Sequence, residues 1–142
     1  MSQAQYDYSL FGAEHIRRYR ETAGEVGHIW NGAPCLILTT TRAKAGTPRE
    51  SALIYGRDGD DYLVVASKGG APEHPLWYRD LVANPDVQIE VLAERMVGRS
   101  RTATPEEKVR LWPIMTGHWP PYDDYAKKTT RDIPVVIIHP TR

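Results

Sequence analysis

The segment Val64-Val65-Ala66-Ser67-Lys68-Gly69-Gly70 carries the clearest chemical signal in this 142-residue chain. An apolar run leads straight into a hydroxyl, a lysine and two glycines. That order puts backbone N–H groups and one positive charge at the mouth of a sheet, where glycine lets a ligand approach the main chain. Trp77-Tyr78 follow in a segment with helical character and add a flat wall. The set suits an anionic, flat-ringed ligand better than a metal or a peptide.

Two further segments could contribute. Thr39-Thr40-Thr41-Arg42-Ala43-Lys44-Ala45-Gly46-Thr47-Pro48-Arg49 is not a Walker A loop, since the Gly-Lys-Ser/Thr ending is absent. It still offers hydroxyls, the amides of a turn and three cations, of which arginine gives bidentate and lysine point-charge contact to phosphate. Read alone, it is equally a solvated basic turn. In His118-Trp119-Pro120-Pro121-Tyr122-Asp123-Asp124-Tyr125, the residues Trp119, Tyr122 and Tyr125 recur at three-residue spacing, so a helix there has one aromatic face. Such a face packs a core or walls a flat substrate.

Other chemistries find little support. None of the five histidines stands three or four residues from another, and the single cysteine has no partner, so no metal site is expected. His74 and His118 flank the expected pocket as candidate proton donors. Cys35 lies in the apolar run Pro34–Leu38 and reads as a buried structural thiol. No Gly-x-Ser-x-Gly elbow is present. Eighteen basic and eighteen acidic residues leave no net field for nucleic acid. No apolar run reaches the length of a membrane span and no secretory leader is visible, which favours the cytoplasm.

The elements that must position these residues read as follows. Residues 11–26 form a helix with Phe11, His15, Tyr19 and Val26 near one face. Strands are expected at 36–41, 49–57 and 61–67, joined by turns at 45–48 and Asp58-Gly59. A short helix occupies 75–83 with Pro75 in its first turn. A long strand spans 86–102. Thr104-Pro105-Glu106-Glu107 opens a helix to about Met115 as a capping box, and a last apolar strand covers 133–139. Hairpins dominate and no repeated βαβ unit is seen, so a small antiparallel barrel decorated with helices is expected rather than a Rossmann sheet.

With these motifs in place, the chain resembles the deazaflavin-dependent nitroreductase family of actinobacteria. These are F420-dependent reductases on the split β-barrel related to pyridoxamine-phosphate oxidases. The matching segments are Leu38-Thr39-Thr40-Thr41, Lys44-x-Gly46-x-Pro48-Arg49, Val65–Gly70, and Pro75-x-Trp77-Tyr78-x-x-Leu81-x-Ala83-Asn84-Pro85. They continue as Trp112-Pro113, Pro120-x-Tyr122-x-x-Tyr125 and Thr130-Arg131-x-Ile133-Pro134-Val135.

The resemblance implies one α+β, mainly β, FMN-binding-protein-like antiparallel split β-barrel over residues 1–142, with 1–30 an N-terminal helical segment. It implies that Lys44 and Arg49, with Thr41, Arg42 and the amides near Gly46, hold the phosphate and acidic tail of coenzyme F420. Ala66, Ser67, Lys68, Gly69 and Gly70 would line the deazaflavin, and Trp77 would pack beside it. Ser67, Trp119, Tyr122 and Tyr125 would face the substrate, with Ser67, Tyr122 and Tyr125 positioning it or donating a proton. Two departures stand out. Arg42-Ala43-Lys44 replaces the family's Gly-Arg-Lys, leaving Arg42 to stand in for the displaced arginine. A family substrate tyrosine appears as Ile54, with Tyr55 one position on and so on the opposite face of a strand.

The function so implied is an F420H2-dependent oxidoreductase. It would pass a hydride from the reduced deazaflavin to a small activated acceptor: an enone, an unsaturated lactone, a quinone or a nitroaromatic. The alternatives are an FMN-dependent enzyme on the same barrel, a non-catalytic F420 carrier, and a lipid- or quinone-binding barrel. A homodimer and peripheral association with the inner face of the membrane stay open.

Overall fold

A computed structural model describes residues 6–141. Among them lie eight strands: β1 (Ile29–Trp30), β2 (Ala33–Thr41), β3 (Pro48–Ile54), β4 (Gly56–Asp58), β5 (Asp61–Val65), β6 (Asp86–Val91), β7 (Glu94–Thr102) and β8 (Val135–Pro140). They form one antiparallel sheet in the order β1-β2-β6-β7-β8-β5-β4, with β3 paired to the other edge of β2. Four α-helices decorate it: α1 (Gly12–Glu21), α2 (Leu76–Ala83), α3 (Pro105–His118) and α4 (Pro121–Lys128). The sheet curls because β3 and β4 lie at its two ends yet are separated by Tyr55 alone. This is the expected split barrel.

The central strands are buried on both faces. Leu36, Leu38, Val64, Ala66, Val136 and Ile138 pack on one side with Trp77 and Leu81 of α2. Cys35, Val65, Val135 and Ile137 pack on the other with Leu111 and Met115 of α3 and Tyr122 of α4. Continuous β-branched and aliphatic runs are what such strands require.

Three expectations need correction. The strand at 49–57 is two strands, because Tyr55 carries the chain from one sheet edge to the other. The long strand at 86–102 is a hairpin, β6–β7, turning at Leu92-Ala93. No glycine or asparagine marks that turn; Leu92 adopts φ 58 and its N–H donates to the Tyr19 hydroxyl at 2.7 Å. Tertiary contact holds a conformation that leucine does not favour. The first helix ends at Glu21, and only His15 and Tyr19 of its expected face are buried in it, while Phe11 is 70% exposed. Smaller shifts follow local geometry. Pro75 is the N-cap of α2, and α3 runs past Met115 to His118, closed by Trp119 N–H to Met115 O. Its capping box forms as expected, with Thr104 and Glu107 reciprocally bonded. Residues 121–128, expected as a Pro-stiffened loop or helix, are helical. Among the described residues no helix is long and apolar enough to cross a membrane.

Two polar anchors fix what surrounds the prospective site. The buried Tyr19 hydroxyl donates to Cys35 O at 3.0 Å and accepts from Leu92 N, tying α1 to β2 and the β6–β7 turn. Burial pushes this phenol up to about 12. Asp80 of α2 accepts from Arg49 Nε at 2.7 Å, Thr40 Oγ1 at 3.0 Å and Ala43 N at 3.2 Å. One carboxylate thus holds both ends of the β2–β3 turn against α2.

Tyr19→Phe leaves the Leu92 N–H without its partner, so it should cost about 1–3 kcal/mol of stability in urea titration. Asp80→Ala strands Arg49 and should cost about 2–3 kcal/mol, less than for a fully buried pair because a quarter of the Arg49 side chain stays in water.

Candidate functional site

A cleft of about 710 Å³ opens between β3 and the segment that follows β5. Glu50 to Ile54 of β3 form one side. Ser67, Lys68 and Gly69, with Pro75 and Trp77 of the following segment, form the second. Trp119, Tyr122 and Tyr125 form the third, and Tyr8, Phe11, His15 and Trp30 reach over from the N-terminal side.

The second wall is an amide cradle. Ser67 is right-handed (φ −83, ψ −38), whereas Lys68 and Gly69 are left-handed at φ 47 and 63. A right-handed residue followed by a left-handed one turns successive N–H groups into one concavity that receives an anionic oxygen. The amides of Ser67, Lys68 and Gly69 have no partner among the described residues. A Cβ at Gly69 would meet nothing within 4 Å, so the cradle is open there. At Gly70 a Cβ would stand 2.7 Å from Tyr125 O, so only glycine lets α4 close on this turn. Among the described residues Lys68 is tied only to Glu73, at 3.5 Å and in solvent.

The aromatic wall is a connected cluster of tilted and edge-on rings. Trp119 Nε1 donates to Tyr125 Oη at 3.3 Å, and the rings of Tyr122 and Tyr125 meet edge-on at 6.0 Å. Trp30 lies 5.2 Å and Tyr6 4.4 Å from Trp119 between ring centroids. Burial pushes the Tyr122 phenol well above its ordinary range, so it stays protonated at neutral pH. Burial likewise pushes the Cys35 thiol up to about 12, leaving it inert on the cleft floor.

The expected site residues divide into groups. Ser67, Lys68, Gly69, Trp77, Trp119, Tyr122 and Tyr125 share the cleft. Ala66 is fully buried in the core with Trp77, and Gly70 backs onto α4. Thr41 and Gly46 border a separate groove of about 490 Å³ beside β6 and β7. Arg42 braces its own turn through Thr47 Oγ1 and Pro48 O, at 3.0 and 2.8 Å. Lys44 is exposed, and Arg49 is held by Asp80. The basic turn and the cradle therefore meet through α2 rather than in one cavity.

His74 and His118 do not border the cleft. His74 faces Arg131, and His118 packs beside Gly56. Ile54 lines the cleft while Tyr55 turns into the opposite core and bonds His28, as the one-residue offset requires. Sequence reasoning missed Asp80, His15, Trp30 and the β3 wall. Only Asp80, a lone acid on the inner face of an apolar helix, left a usable signal.

Comparison with known proteins gives the family. The family model described as F420H(2)-dependent quinone reductase matches residues 12–140. An F420H(2)-dependent quinone reductase of Mycobacterium tuberculosis (strain H37Rv) is 45% identical over 128 residues, covering 87% of this chain and 86% of that protein. Two solved chains share 37% identity and a TM-score of 0.70 over 75% of this chain. One is an F420-H2 dependent reductase, 94% covered; the other is described as a domain-swapped dimer, 80% covered. The enzyme reading thereby displaces the carrier and the lipid-binding barrel, and the cofactor is F420 rather than FMN. The chain belongs to the F420H(2)-dependent quinone reductase family and is an F420H2-dependent oxidoreductase.

Proposed function

We propose that this chain reduces a quinone, with the deazaflavin seated on the Ser67–Gly69 cradle and the acceptor against Trp119, Tyr122 and Tyr125. The observation that carries this reading is one cleft with unpartnered amides and a lysine on one wall and clustered aromatics on another. The residues fit the group: Trp77 on the cleft lining, amide donors for an oxygen-bearing ring edge, and open space at Gly69.

When bound, the reduced cofactor supplies a hydride. The chain's own residues bind, orient and exclude water. Lys68 and the cradle amides hold the oxygen-rich edge of the ring, and Trp77 limits its tilt. Lys44, with the terminal nitrogens of Arg49 left over from its Nε contact to Asp80, attracts the phosphate and acidic tail. Arg42 shapes that turn. Ser67 and Tyr125 offer hydroxyl donors to the acceptor oxygen, and Tyr122 backs Tyr125. Holding a flat acceptor at hydride distance is the main contribution expected of such a site. The names of the similar proteins and the aromatic wall favour a quinone over the other acceptors.

We further propose a homodimer, supported by the dimeric relative, and a cytoplasmic location, supported by a single inert thiol and no disulfide pair.

Titration with oxidised F420, followed by its own fluorescence with FMN in parallel, tests the placement. Lys68→Ala and Trp77→Ala should each weaken F420 binding about tenfold, the scale of one charge-assisted hydrogen bond or stacked contact. Lys44→Ala should weaken it in a salt-sensitive way. Tyr125→Phe should raise the quinone KM while sparing that for F420. Unchanged F420 affinity in both cleft variants would falsify the placement. Light scattering tests the dimer.

A further inference from the structure

Thr130-Arg131-Asp132-Ile133-Pro134 runs into β8 and lends no residue to the cleft, yet Arg131 grips the back of the cradle. Its guanidinium makes four contacts: Nε to Ala71 O at 2.8 Å, Nη1 to Ala66 O at 3.2 Å, Nη2 to Ser67 O at 2.7 Å, and Nη1 to His74 Nδ1 at 3.0 Å. All four partners lie in the segment that builds the cradle.

The planar trans peptide turns this grip into aim. The C=O of one residue and the N–H of the next point in opposite directions. Holding the carbonyls of Ala66 and Ser67 on the guanidinium therefore directs the N–H groups of Ser67 and Lys68 away from it. These are two of the three unpartnered cradle amides. The fourth contact sets a protonation state. A guanidinium only donates, so His74 Nδ1 must accept and the ring must be neutral. Desolvation, then Arg131 and Arg79, hold His74 below its ordinary range.

We propose that Arg131 is the positioning residue of the cradle, fixing the amides that receive the cofactor ring, and that neutral His74 completes the grip. The proposal rests on the placement of the deazaflavin argued above. The charged and titratable groups around His74 are Arg131 before β8, Arg79 and Tyr78 on α2, and Glu73 on its own loop, itself paired with Lys68. Because the folded state favours the neutral ring, the grip is complete above the ordinary histidine range. It is lost as pH falls through that range into the lowered one. Protonation removes the acceptor and sets a second cation against Arg131.

The test uses the full chain and oxidised F420 fluorescence, with melting and circular dichroism as folding controls. Arg131→Lys keeps the charge but cannot span three carbonyls. It should raise the F420 Kd about tenfold or more, the scale of lost charge-assisted hydrogen bonds, with the quinone KM within about twofold of wild type. His74→Gln keeps an acceptor for Arg131 that does not titrate. The ratio of wild-type to His74→Gln Kd, which cancels titration of the ligand, should rise between about pH 8 and about pH 5. If Arg131→Lys does not fold, this ratio alone decides. A wild-type Kd in folded Arg131→Lys, or a flat ratio, overturns the proposal. Weakened binding in Lys68→Ala beside normal binding in Arg131→Lys removes Arg131 only. Normal binding in Lys68→Ala and Trp77→Ala removes the cleft placement itself.

Discussion

A single residue joins the two ends of this sheet. β3 and β4 occupy opposite edges, and Tyr55 is all that lies between them. The edges must therefore meet, and the sheet must curl. Tyr55 is buried to 9% exposure, its N–H donates to Pro34 O and its hydroxyl bonds His28, so the crossing is anchored at backbone and side chain. Curling leaves β2, β5 and β8 buried on both faces, with no polar face for chemistry. The candidate ligand-binding groups lie where strands end: the Arg42–Arg49 turn, the Ser67–Gly70 turn, and helices laid over the open side.

Much of this was legible in the sequence because strand-ending motifs combine residue types that seldom coincide by chance. Ser-Lys-Gly-Gly after an apolar run needs close backbone approach, and Thr-Pro-Glu-Glu starts a helix by local bonds alone. The helix start formed as read; the Ser67–Gly70 turn formed after a strand that ends at Val65, two residues short of the expected Ser67. The misreadings share another cause. The β6–β7 turn at Leu92-Ala93 has no turn residues, because the Tyr19 hydroxyl, distant in sequence, holds it. The break at Tyr55 is invisible, since each half of 49–57 is good strand sequence and only the partners differ. The first 30 residues read as a helical segment, but their aromatic contacts with Trp119 are purely tertiary.

The electrostatics follow a similar division. Arg42, Arg49 and Lys44 look alike in sequence, yet two are engaged in holding the turn and Lys44 has no partner among the described residues. Asp80 engages Arg49, and a carboxylate on a mostly apolar helix carries no label for its partner. Arginine suits such anchoring because its donors diverge, so Nε can bind a carboxylate while the terminal nitrogens stay available. Local charge density in a sequence overstates the charge a ligand meets.

The close approach at Gly70 has a thermodynamic reading. The turn bearing the cradle and the helix bearing Tyr122 and Tyr125 touch with no room for a methyl group. Two walls in such contact do not relax separately, since packed elements shift between discrete arrangements rather than deforming smoothly. A ligand that orders one wall therefore orders part of the other. By linkage the effect is mutual, with the same coupling free energy in both directions. In the proposed placement, cofactor and acceptor would be partners in one binding equilibrium, and the order in which they arrive would change the route but not the total.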